Sequence, residues 1–162
     1  MRFYYYTLQR DFRKSWEYSN KALNVTPSEF IEADGNYDIY YNYLLKETGK
    51  GNEATKGLKK SIEHYKADIL QGHLTDFWRE KKDRLKIAAS YSMLGEKEKA
   101  LQYLSQLEKF GLFEYPITLK FPGFDNLRND PEFKAIVKRI EDQRAAVRKK
   151  VKEMERTGEL HL

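Results

Sequence analysis

The sequence predicts an all-α fold, and three observations carry that expectation. Apolar residues recur at helical spacing along most of the chain, while the strict alternation of a half-buried strand is nearly absent. Most prolines and glycines fall where a helix should begin or end. Aromatic residues at 14% beside charged residues at 34% suit helices with one apolar stripe and one wet face. The 162 residues are read as a single domain, long enough to bury roughly 70% of the surface an unfolded chain exposes.

The elements follow in order as residues 2–9, 12–24, 27–47, 53–71, 76–94, 97–109 and 131–157. In Thr26-Pro27-Ser28-Glu29 the threonine can cap free N–H groups, the proline sits where a missing N–H costs nothing, and the glutamate completes a capping box. Thr75-Asp76 and Asp130-Pro131-Glu132 repeat that chemistry. Gly49, Gly95 and Gly158 stand where a left-handed residue closes a helix without a Cβ clash. Gly35 inside the third segment marks either a kink or a later start near Tyr37.

The middle of the chain repeats itself at a shift of 46 residues, matching Leu45, Gly49, Ala54 and Leu58 with Tyr91, Gly95, Ala100 and Leu104. A large residue four before a glycine packs on the first helix, the glycine permits a tight turn, and a small residue five later lets the second helix approach. That grammar resembles the tetratricopeptide repeat. Ala88, Tyr91, Gly95, Ala100 and Leu104 stand at the family's signature positions in the third copy. The second copy keeps Gly49 and Ala54 but has Asn42 and Ser61 at positions usually small. The first copy matches at Tyr6, Ala22 and Pro27, with Arg10 and Ser15 in place of the turn glycine and the small alanine.

The resemblance implies an α-solenoid of antiparallel helix pairs, with repeats over about 1–27, 28–72 and 73–110 and a capping segment over 111–162. The long spacing requires extra helix or loop between Ala67 and Glu80, and a HEAT-like pair is the fold alternative. A first copy beginning at Met1 without its opening turn implies a chain cut from a longer array. The string Pro122, Phe124, Asp125, Leu127, Arg128, Asp130, Pro131 and Phe133 resembles the closing element that follows the last repeat in many bacterial tetratricopeptide proteins, signalling and regulatory ones included. Here Phe121, Phe124, Leu127 and Phe133 are expected to seal the open end of the stack. Arg128 is expected to pair with Asp125 or a helix end. A long capping helix completes the fold.

Stacked in the family's manner, first-helix residues line a concave groove for a protein or peptide partner: Tyr4, Asn36, Tyr40, Tyr43, Lys82, Leu85, Lys86 and Ala89. Lys82 and Lys86, four apart, share that face. Related chaperone-binding members clamp a terminal carboxylate with two basic residues at these places. Tyr40 stands where their asparagine would be, which argues against a complete clamp. The implied function is a non-enzymatic interaction scaffold, within a longer protein a regulator of an attached signalling domain.

Eight of the twelve tyrosines fall within the first 43 residues, too many hydroxyls around short helices for all to be buried, so some are expected on a groove or an adjoining surface. The last helix carries Phe133, Val137, Ile140, Val147, Val151 and Met154 as a narrowing stripe, and its tail is expected to project as a handle for a homodimer or a partner helix. Arg144, Arg148, Lys149, Lys150 and Lys152 make the rival reading a basic helical nucleic-acid-binding module. No aromatic interleaves them to stack bases, and the net charge of +5 comes from 30 basic residues mixed with 25 acidic ones, which argues against that rival.

Other chemistry finds little footing. His64, His73 and His161 are scattered without metal-ligand spacing. The loop around Asp125 has neither a nucleophile with a base nor the ligand pattern of a calcium loop. Gly49 to Gly57 lacks the Lys-Ser/Thr ending of a phosphate loop. No catalytic residue, metal or cofactor is expected. No segment reaches the roughly 18 apolar residues of a membrane span, and the absence of cysteine fits a reducing, cytoplasmic setting.

Overall fold

The computed structural model describes residues 2–25, 37–71, 77–108 and 120–159. Among the described residues seven α-helices run in order: α1 (Arg2–Leu8), α2 (Phe12–Val25), α3 (Tyr37–Glu47), α4 (Gly51–Leu70), α5 (Phe77–Met93), α6 (Lys97–Leu107) and α7 (Pro131–Thr157), with a 3-10 helix η1 (Pro122–Leu127) before the last. No strand occurs among the described residues. Thr26, Pro27, Glu29, Gly35, Asn36, His73, Thr75, Asp76 and His161 lie outside them.

Three of the connections share one local geometry. Arg10, Gly49 and Gly95 are all left-handed, at φ 59, 84 and 80°. After each, an N–H reaches back five residues: Asp11 to the Tyr6 carbonyl at 3.0 Å, Lys50 to Leu45 at 2.9 Å and Glu96 to Tyr91 at 2.9 Å. This closure satisfies a carbonyl the helix end would orphan. Five residues past each left-handed position a small residue is buried in turn: Ser15, Ala54 and Ala100. The first pair therefore makes the turn of the other two although its residues differ. Arginine accepts a conformation costing roughly 1–2 kcal/mol without glycine, and the Ser15 hydroxyl is matched by Thr7 Oγ1 at 2.6 Å.

The helices form three hairpins packed in series. Within each, α1 packs on α2, α3 on α4 and α5 on α6, and the hairpins are joined by contacts of α2 with α3 and α4 with α5. First helices also touch, α1 with α3 and α3 with α5. The unexpected Asn42 is buried where α4 supplies Gly57, at which a Cβ would lie 2.1 Å from Asn42 Oδ1. A larger residue on one helix is thus matched by the smallest on its neighbour.

A large apolar core runs from Ile39 and Leu58 through Ile87, Leu104 and Phe124 to Ile140, and a smaller one gathers Phe3, Tyr37 and Leu44 beneath half-buried Tyr4, Trp16, Tyr18 and Tyr41. Most tyrosines of the first 43 residues are spent on this packing: Tyr37 hydroxyl meets Ser19 Oγ at 2.7 Å, Tyr37 stacks on Tyr41 and Tyr6 on Tyr18. Tyr5, at 59% exposure, faces outward.

The last helix begins as its sequence requires. Asp130 accepts from the N–H groups of Glu132 and Phe133, Pro131 takes the first position, and left-handed Gly158 ends the helix. Phe133, Ile136 and Ile140 are buried. Beyond Ile140 no described residue of α7 is buried, so its last four turns leave the body.

Candidate protein-interaction face

Phe121, Phe124, Leu127 and Phe133 are all buried, as a plug requires, but the plug does not merely close the end of the stack. Within the closing segment α7 packs on α6, whereas η1 lies on α5 and reaches across to α3 and the α1–α2 turn. The cause is chemical complementarity. Phe121 enters beside Tyr40 and Tyr43, with ring centroids 4.6 and 5.5 Å away. Gly123 permits the tight bend, since a Cβ there would meet the Phe121 ring at 2.4 Å. Ser92 Oγ on α5 lies 2.6 Å from both the Gly123 carbonyl and Asn126 Oδ1, while Asn126 Nδ2 donates to the Ser92 carbonyl at 2.8 Å.

Charged groups hold the rim. Asp125 accepts from Arg10 of the first turn and from Arg128 Nε at 2.7 Å, and Arg128 also donates to the carbonyls of Lys120 and Phe121. A cleft of about 210 Å³ remains between Arg10, Tyr43, Lys46, Glu47, Asp125 and Asn126. Lys46 Nζ donates to the Met93 carbonyl at 2.7 Å, where the end of α5 favours a cation. Burial, with the Glu47 charge adding to it, pushes the Tyr43 phenol up to about 12, so it stays a protonated donor at neutral pH.

The eight groove residues expected from the sequence are not all brought to one open surface. Tyr4 and Tyr40 are half-buried and meet edge to face at 4.8 Å. Tyr43, only 3% exposed, and Ala89 are covered by the chain itself. Leu85 is half-buried against the main core, and Lys82 is exposed. Asn36 lies outside the described residues.

The structure separates Lys82 from Lys86, which the four-residue spacing placed on one open face. Lys86 is 7% exposed, pairs with Asp83 at 3.3 Å, and holds its ammonium 4.3 Å from the centre of the Tyr65 ring on α4. Beside it Ser61 donates to Asp38 at 2.8 Å. Burial and then Asp38 raise the Tyr65 phenol well above its ordinary range, leaving it protonated. Lys86 thus belongs to a buried polar knot joining α3, α4 and α5.

Sequence reasoning missed Arg10, Ser92 and Asn126 as anchors of η1. The available signal was the mismatch at Arg10, a bulky cation where a turn wants glycine. No cluster of three or more metal-ligating residues occurs among the described residues. On α7, Arg148, Lys149, Lys150 and Lys152 are exposed and Arg144 is half-buried. No helix of the described residues is long and apolar enough to cross a membrane. Comparison with family models, curated proteins and solved structures returned no match.

Proposed function

We propose that this chain is a non-enzymatic, cytoplasmic protein-interaction scaffold, a tetratricopeptide-like solenoid that displays one face of its first helices to a protein or peptide. What carries the reading is the recurrence of a single turn at Arg10, Gly49 and Gly95, with a small buried residue five positions later each time. Rigidly stacked hairpins need little ordering on binding and so lose little entropy. The face already accommodates a short segment, which brings the Phe121 ring, Asn126 to pair with Ser92 of α5, and Asp125. The partner-facing part is the remainder: Tyr4, the exposed edge of Tyr40, Leu85 and Lys82. In a longer protein the scaffold regulates an attached signalling domain.

The test is affinity capture from the source cell with the chain and with a Tyr4→Ser/Lys82→Glu variant of unchanged circular dichroism. A partner retained by the first and lost by the second supports the proposal. Equal capture by both moves the site, and the absence of any specific partner sinks the reading.

A further inference from the structure

We infer that the projecting half of α7 is a parallel two-stranded coiled coil with a second copy of this chain. The inference stands apart from the proposed groove. From Phe133 to Met154 the positions that step by four and three are Phe133, Val137, Ile140, Arg144, Val147, Val151 and Met154, apolar at all but Arg144. That is a heptad seam with one polar core position, Arg144. Its first half is covered by the chain itself, with Phe133 and Ile140 buried. Its second half continues the same line into solvent, leaving Val147 43% and Val151 38% exposed. Residues 141–157 extend about 25 Å, near the length below which a lone helix is marginal in water.

Charge selects the occupant and its direction. In an in-register parallel pair Val147, Val151 and Met154 each face their own counterpart, and Lys150 reaches the partner's Glu155 on both sides of the axis. Neither Lys150 nor Glu155 has an ion pair with another described residue, so both are available for that contact. Full antiparallel overlap instead sets Arg148 against the partner's Arg148, Lys150 against the partner's Lys150 and Glu141 against the partner's Glu155. Sliding that pair one heptad toward the body requires Ile140, which is wholly buried in its own chain. Half-buried Arg144 stands at the single polar core position, of the kind that sets register at some cost in affinity.

Three apolar layers give a weak dimer, so the test is sedimentation equilibrium of the full 162-residue chain up to millimolar concentration. A monomer–dimer equilibrium is expected, abolished by Val147→Asp/Val151→Asp with unchanged helicity. Lys150→Glu or Glu155→Lys alone weakens it several-fold, and the two together restore it. Because the chain has no cysteine, Met154→Cys supplies a single reporter that forms an inter-chain disulfide on oxidation only in the parallel register. A monomer throughout, a dimer indifferent to the double aspartate variant, a charge exchange that restores nothing, or a Met154→Cys dimer that fails to cross-link overturns the inference.

Discussion

Asn126 and Ser92 grip each other in both directions: the asparagine amide donates to the serine carbonyl at 2.8 Å, and its carbonyl oxygen lies 2.6 Å from the serine hydroxyl. Thirty-four positions apart in the chain, they fasten η1 to the end of α5. A buried hydrogen-bonding group deprived of its partner costs about 1–3 kcal/mol. Ser92→Ala and Asn126→Ala should each lower urea stability by that order, and the double variant should lose clearly less than the sum. Additive losses would show that the pair does not act as a unit.

Arg10 offers a direct comparison of backbone and side-chain effects. Arg10→Ala removes the contact with Asp125 but keeps a left-handed non-glycine residue, whereas Arg10→Gly removes the contact and relieves the backbone. The glycine variant should be more stable than the alanine variant by about 1 kcal/mol, read from chemical denaturation. Gly95→Ala should cost a similar amount, because a Cβ there meets nothing within 4 Å and the penalty is purely conformational.

Lys86 should behave as a structural residue. Its removal takes one hydrogen-bonded charge partner from buried Asp83 and a cation from the Tyr65 ring, and a buried hydrogen bond lost in this way typically costs about 1–3 kcal/mol. Lys86→Ala should therefore lower the unfolding midpoint strongly, while Lys82→Glu leaves it almost unchanged. Equal and small effects of the two would return Lys86 to the open face.

Acid should loosen the start of α7. Lys97 first, and the N–H of Phe133 next, hold the Asp130 carboxyl below its usual range. A carboxylate with a lowered folded value contributes stability fully above its unfolded value of about 3.9, and that contribution disappears as pH falls through the folded value. Asp130→Asn keeps a capping oxygen but removes the titration. The parent should exceed it in thermal midpoint at pH 7, with the gap closing as pH falls below the unfolded carboxylate value. A gap that stays constant with pH would rule out the ionised cap.

The legibility of this chain in its sequence depends on range. Asp130-Pro131 announces a helix start, and Gly49, Gly95 and Gly158 announce stops, because the groups involved lie within a turn of each other. The candidate face was less legible. Helical spacing alone placed Lys82 and Lys86 together, yet Tyr65 from another helix draws one inward. The phenylalanines of the closing segment were recognisable as a plug, but not the surface they would cover.

The sequence by itself determined the helical class, most helix ends and the small residues that let hairpins close, since backbone chemistry and periodicity are local properties. Only the tertiary structure decided that Arg10 turns like a glycine, that η1 lies on the first helices, and that the stripe of α7 outlasts its support. Each of those depends on surfaces assembled from distant segments, as with Arg10 and Asp125, 115 positions apart, and no local pattern encodes the approach of such partners.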